Sequence, residues 1–169
     1  MKQTGTTLEP IEADVFMASV MKEFTADSQL AELALTRATA DPVRTMAMHI
    51  NDDCKRALLD IARVATRKNL PLAEPADSSQ EWLLQRMREM WGVDFDYAYI
   101  DRISIHHRIE VKVLKRGQTI KNPEISALAS RLLAVVEARA KLSRHLSENI
   151  DSLGAAAAPE TGARDQSNM

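Results

Sequence analysis

FDYAYIDRISIHHRIEV, from Phe95 to Val111, decides the fold of this chain. Its apolar residues recur at the three- and four-residue spacing of an amphipathic helix. The stripe that includes Ile100 and Ile103 also takes in His107, which places a titratable ring at a core position. Because a buried polar group without a partner costs free energy, the sequence predicts that neighbouring helices supply partners for His107.

The same periodicity predicts three further long helices and one short helix. The long helices are expected over about 13–39, 42–69 and 122–150, and the short one over about 78–92. Asp41 is expected to cap the second long helix. The connections between the long helices are expected to be short. The predicted fold class is therefore all-α, an up-and-down four-helix bundle with one extra short helix. We expect a disordered N-terminal segment over 1–12, the bundle over 13–152 and a disordered tail over 153–169.

Composition narrows the possible functions. The 169 residues are 45% hydrophobic but only 4% aromatic, which favours one helical domain. The net charge is -2 and no basic stripe is evident, so we expect no nucleic-acid partner. No apolar run is long enough for membrane insertion. The start MKQTGTTLEP lacks a signal peptide, which predicts a cytoplasmic protein as written, or a periplasmic one if an export signal was removed ahead of Met1.

Polar residues on the apolar stripes are the first candidate site. Arg139 lies inside the stripe of the last helix, where it must pair with an acid or extend to solvent, and Asp27 is similarly placed on the first helix. We predict an interior polar cluster that fixes helix register and needs no cofactor, consisting of Asp27, Cys54, His107 and Arg139. Arg139 far from Asp27, in solvent, would refute it. The adjacent His106 is expected on the solvated flank of its helix.

A transition-metal site is the alternative. It would use His107 with Cys54 or Asp27, or the pair His49 and Asp53 one helical turn apart, and would take copper, zinc or iron. The Glu-x-x-His pair of di-iron bundles is absent from the sequence. The preferred interpretation of Cys54 is a small buried hydrophobe, as most such cysteines are, and a thiolate ligand is the alternative.

Enzymatic motifs are missing as well. The sequence contains no HExxH, CxxC, GxSxG or glycine-rich phosphate loop, so we expect no enzyme. The leading prediction is a non-enzymatic binding or structural protein associated with stress or the cell envelope. A third possibility is a helical adaptor that binds a protein partner through an apolar surface on the short helix, formed by Trp82, Leu83, Met87 and Met90.

Three segments carry a family resemblance: LALTRATADPVRTMAMHINDDCKRALLDIA (33–62), FDYAYIDRISIHHRIEV (95–111) and NPEISALASRLL (122–133). Together they resemble a bacterial ferritin-like family of unknown function whose members are often exported to the periplasm or outer membrane. The resemblance covers about 15–146. It implies a ferritin-like bundle with a carboxylate in the first helix, an Asp-His pair in the second and a histidine in the fourth. Here Cys54 replaces the histidine of that pair and Arg139 stands near the fourth-helix histidine.

Overall fold

All secondary structure in the part of the chain that the structure describes is helical. The computed structural model describes residues 11–72 and 78–156. The helices are α1 (Ala13–Arg37), α2 (Asp41–Arg67), α3 (Ser78–Arg88), α4 (Gly92–Gly117) and α5 (Pro123–Ala156). The prediction of an all-α bundle with one additional short helix is confirmed.

The turn between α1 and α2 is held by α4. Asp96 accepts hydrogen bonds from the backbone N–H of Thr39 (3.0 Å) and of Ala40 (2.8 Å). Ala40 is the N-cap of α2, whereas Asp41 lies within the helix, so the prediction that Asp41 is the cap is wrong. A carboxylate from a distant helix therefore satisfies donors at this turn.

The four long helices are arranged around one core. In cyclic order α1 contacts α2, α2 contacts α5, α5 contacts α4, and α4 contacts α1. The fully buried side chains between them are mostly aliphatic and aromatic: Phe16, Met17, Phe24, Leu30, Met46, Ile50, Ile61, Phe95, Tyr99, Ile100 and Ile103. Close approach at one end depends on Gly117, where a Cβ atom would overlap the ring of Phe16.

The directions of the long helices show that one connection, between α2 and α4, is a long crossover. The start of α4 contacts the α1–α2 turn through Asp96, and Glu124 at the start of α5 pairs with Lys68, which follows α2. Helices α2 and α4 therefore run parallel, and the segment 68–91, which includes α3, returns the chain to the opposite end. The predicted up-and-down order with short connections holds for α1–α2 and α4–α5 and is wrong for α2–α4, because α2 ends at the opposite end of the bundle from the start of α4.

Helix α3 packs along the side of α1. Leu84 and Met87 are buried against the bundle, and Gln80 Nε2 donates to the carbonyl of Ala26 at 3.3 Å. Met87 is only 1% exposed, so its prediction as part of a partner surface is wrong. Trp82 is 59% exposed, while Leu83 and Met90 are half-buried against the core.

The predicted domain boundaries shift at both ends. Ile11 packs against the core although it was expected in the disordered segment. Helix α5 continues to Ala156, beyond the expected end at residue 152. Residues 1–10 and 157–169, the remainder of the two segments predicted to be disordered, lie outside the described residues.

Across the described ranges, none of the helices is both long and apolar enough to cross a membrane.

Candidate functional site

Both histidines of α4 are buried. His107 has no exposed surface and His106 is 7% exposed, so the prediction of a solvated His106 is wrong. Adjacent helical residues diverge by about 100°, and a single core-facing stripe would bury only one of them. Here α1 packs against the side of α4 that carries His106. His106 Nδ1 lies 2.8 Å from Oδ1 of Asp27 on α1, and a polar partner compensates its burial.

The second oxygen of Asp27 faces the bundle interior. Asp27 Oδ2 is 3.8 Å from His107 Nε2 and 3.8 Å from an Arg139 terminal nitrogen. Asp27 itself has no exposed surface. A single carboxylate from α1 thus contacts α4 on both histidines and approaches α5 through Arg139.

The tautomer of His107 follows from its neighbour Ser143. The Ser143 hydroxyl donates to the carbonyl of Ala140 at 3.2 Å, so it is left to accept from His107 Nδ1–H at 3.4 Å. Nε2 is then the unprotonated nitrogen, with its lone pair directed into the bundle. Burial lowers the pKa of His107 from 6.5 to about 4, with Asp27 opposing the shift and Arg139 adding to it. His107 is therefore neutral at pH 7.

Sequence reasoning missed Glu110. It is 1% exposed, one turn after His107 on the core-facing side of α4. Burial raises the pKa of its carboxyl well above the ordinary 4.5, Asp27 raises it further, and Arg139 opposes both. The signal was present as His107-x-x-Glu110, since residues three apart share a helical face. A search for the opposite order, Glu-x-x-His, passed over it.

Arg139 bridges helices from inside the bundle. It is 5% exposed; besides approaching Asp27, its Nε donates to Asp53 Oδ2 on α2 at 3.4 Å. Cys54 lies beside it on α2, fully buried. Burial raises the pKa of the Cys54 thiol and Arg139 offsets this only in part, which disfavours the thiolate that binds metals. The structure thus brings together all four residues proposed for the interior polar cluster.

Asp27, His107 and Glu110 also form what we call the carboxylate–histidine triad. Each offers one ligand atom, and these atoms lie within 4.8 Å of one another. Several buried polar atoms here have no hydrogen-bond partner among the described residues: Asp27 Oδ2, His107 Nε2, both Glu110 carboxyl oxygens and both terminal nitrogens of Arg139. Orphaned buried atoms are rare in proteins, and the ligand atoms of the triad converge on one space inside the bundle.

The predicted metal-binding pair of His49 and Asp53 on α2 does not belong to the triad. His49 is exposed on α2. Asp53 is half-buried and pairs with Arg56 and Arg139. The two arginines compete for the carboxylate that a metal at His49 would need, so the structure offers His49 no support as a ligand.

Comparison with protein families identifies the chain's relatives. The family model described as a domain of unknown function, DUF4142, matches residues 2–146. The chain belongs to this family. The resemblance to a bacterial family of unknown function is thereby confirmed, while the ferritin-like assignment stays a prediction. No curated protein matches this DUF4142 chain.

Two solved structures share the fold. A DUF305 fragment from Deinococcus radiodurans superposes with a TM-score of 0.73 at 14% identity, covering 83% of this chain and 99% of that one. A DUF305 protein from Streptomyces coelicolor, described as a "putative secreted protein", gives 0.71 at 15% identity, covering 82% and 92%. At such identities the likeness concerns the bundle architecture alone.

Proposed function

We propose that this DUF4142 protein is a non-enzymatic helical bundle that binds one divalent transition-metal ion at the carboxylate–histidine triad. The observation that supports it is the convergence of Asp27 Oδ2, His107 Nε2 and the Glu110 oxygens, all buried and without hydrogen-bond partners among the described residues. Carboxylates and a neutral imidazole are good metal ligands, and the metal would have to displace the proton that burial otherwise keeps on Glu110.

The ligand atoms of the triad limit which metal ions the site would favour. Two carboxylates and one imidazole suit iron or zinc, whereas copper(I) prefers the thiolate and thioether ligands that this triad lacks. The ligand histidine is oriented by Ser143 and Asp27 by His106, which are the outer contacts that functional metal sites use. The single long crossover between α2 and α4 is also the connectivity of ferritin-like folds, which hold metals between their helices.

A second candidate function is purely structural. Arg139 lies 3.8 Å from Asp27 and donates to Asp53, so its guanidinium partly neutralises the site and repels a cation. In this case the interior polar cluster fixes the register of the four long helices and holds water where the metal would sit. The stress- or envelope-associated role that we propose for the protein is compatible with either candidate.

Elemental analysis separates the two candidates. The protein is purified without an affinity tag or chelator, incubated with zinc, iron or copper, and desalted. We expect one metal ion per chain in the wild type and in Cys54→Ala. We expect loss of the metal in His107→Ala and Glu110→Gln. The exposed His145 supplies a matched control, since His145→Ala removes an imidazole that is not part of the triad. A folded wild type that stays metal-free with all three metals would refute metal binding and favour the structural role.

A further inference from the structure

A wide groove separates the exposed sides of α4 and α5. Its volume is about 890 Å³, within the range of sites for small molecules. Five basic residues and one acid line its rim: Arg108, Lys112, Lys115, Lys141, Arg144 and Glu137. The expectation of no basic stripe is wrong here. The basic residues come from two helices, α4 and α5, and acidic residues elsewhere bring the net charge of the chain to -2, so the sequence alone does not reveal the stripe.

The cations of the groove are unpaired. Within the described part of the chain, none of the five forms an ion pair. On α2, by contrast, Arg44, Arg56 and Arg63 each pair with an aspartate three residues earlier. Like charges one turn apart, as at Arg108 and Lys112, destabilise a helix. An anionic ligand would relieve this repulsion.

The floor of the groove is apolar. Ile105, Ile109, Val111 and Ala140 contribute to its lining. Ile109 is 42% exposed, so part of this apolar lining is open to solvent beside the basic side chains. An anion alone would make no use of this floor, and a neutral apolar ligand would make no use of the cations.

We propose that the groove binds a single-chain anionic amphiphile, with a carboxylate or phosphate head group between the basic side chains and its hydrocarbon chain along Ile105 and Ile109. The head group makes charge-assisted contacts with lysine and arginine, while the chain removes apolar surface from water. A concave cleft favours one such molecule over a flat bilayer surface. His107 of the triad also contributes to the lining of the groove. The proposed contacts are made by the basic side chains and by Ile105 and Ile109, so the proposal does not depend on metal binding.

Calorimetric titration of the chelator-treated protein tests the proposal. The probes are dodecyl phosphate and laurate, each below its critical micelle concentration, with inorganic phosphate, 1-dodecanol and phosphatidylglycerol vesicles for comparison. We expect saturable 1:1 binding of one or both anionic amphiphiles, weakened by salt. The two amphiphiles distinguish a phosphate from a carboxylate head group. Neither inorganic phosphate nor 1-dodecanol should bind comparably.

Matched variants locate the site. Lys112→Glu combined with Lys141→Glu should weaken amphiphile binding by about tenfold or more, because two attractive charges become repulsive. Lys121→Glu combined with Arg131→Glu reverses two exposed charges outside the groove and should leave affinity within about twofold. Ile109→Ser should weaken binding, whereas Val15→Ser, at an exposed valine of α1, should not. Circular dichroism checks that each variant is folded.

Four results would overturn the proposal. They are no binding by either amphiphile, inorganic phosphate binding as tightly as dodecyl phosphate, binding to vesicles only, and equal losses in the groove and control variants. The second would assign a simple anion site and the third a membrane-surface contact.

Discussion

Replacing Glu110 by glutamine should remove a pH dependence of the free energy of unfolding. Glutamine keeps the shape of the protonated carboxyl and does not titrate. In the folded chain burial raises the pKa of Glu110 well above 4.5, the value that the unfolded chain approaches. Above pH 4.5 the unfolded state therefore loses a proton that the folded state keeps. By linkage, stability falls as pH rises.

The magnitude follows from one proton. A difference of one bound proton corresponds to a slope of about 1.4 kcal/mol per pH unit, over the range in which folded Glu110 stays protonated. His107 acts in the opposite direction, since its folded pKa of about 4 lies below the unfolded 6.5. Protonation of the unfolded state at that histidine lowers stability as pH falls from 6.5 towards 4. Between about pH 4.5 and 6.5 the two slopes are opposite and similar in size, so they nearly cancel. Above pH 6.5 only the Glu110 slope remains, for as long as folded Glu110 stays protonated.

Urea denaturation in chelator, followed by circular dichroism at half-unit steps upward from pH 6.5, measures this slope. We expect it in the wild type and in Glu148→Gln, a matched control at an exposed glutamate of α5. Glu110→Gln should be nearly independent of pH and more stable than the wild type at the alkaline end. Equal slopes in the wild type and Glu110→Gln would refute the assignment of a neutral, buried carboxyl.

Three further substitutions test the packing around the site, each by urea denaturation. Arg139→Met should cost about 3 kcal/mol or more, because it leaves the buried Asp27 carboxylate without its cation. The exposed Arg131→Met should change stability by less than about 0.5 kcal/mol. A cost below about 1 kcal/mol for Arg139→Met would contradict a buried ionic contact. Gly117→Ala should lower the free energy of unfolding by about 1–3 kcal/mol, although alanine ordinarily favours a helix, because the new Cβ atom overlaps the ring of Phe16. Adding Phe16→Leu should recover part of the loss. A stabilising effect of Gly117→Ala alone would contradict the close approach of α4 to Phe16. Asp96→Ala should cost about 1–3 kcal/mol and speed amide hydrogen exchange at the α1–α2 turn, and unchanged exchange there would argue against the two backbone hydrogen bonds.

The number and type of helices could be predicted from the sequence because helical periodicity is a local property. Apolar spacing in Phe95–Val111 and its counterparts located all five helices, with ends misplaced by a few residues. Fraying and caps set those ends, and the cap of α2 depends on Asp96, a residue more than 50 positions away. The crossover between α2 and α4 also lay beyond periodicity, since helix direction depends on which helices pack together.

Within the site, the sequence by itself determined which side chains must find partners inside. Asp27, His107 and Arg139 lie on apolar stripes, and the cost of burying an unpaired polar group implies contacts for each. Only the tertiary structure decided which contacts form. It turned His106 inward because α1 supplies Asp27, and it brought Glu110 level with His107 and Asp27. It also joined basic residues of α4 and α5 along one groove. Although His107 and Glu110 share a helical face by their spacing, groupings between helices depend on the rotation and register of one helix against another, which are set by packing over the whole core.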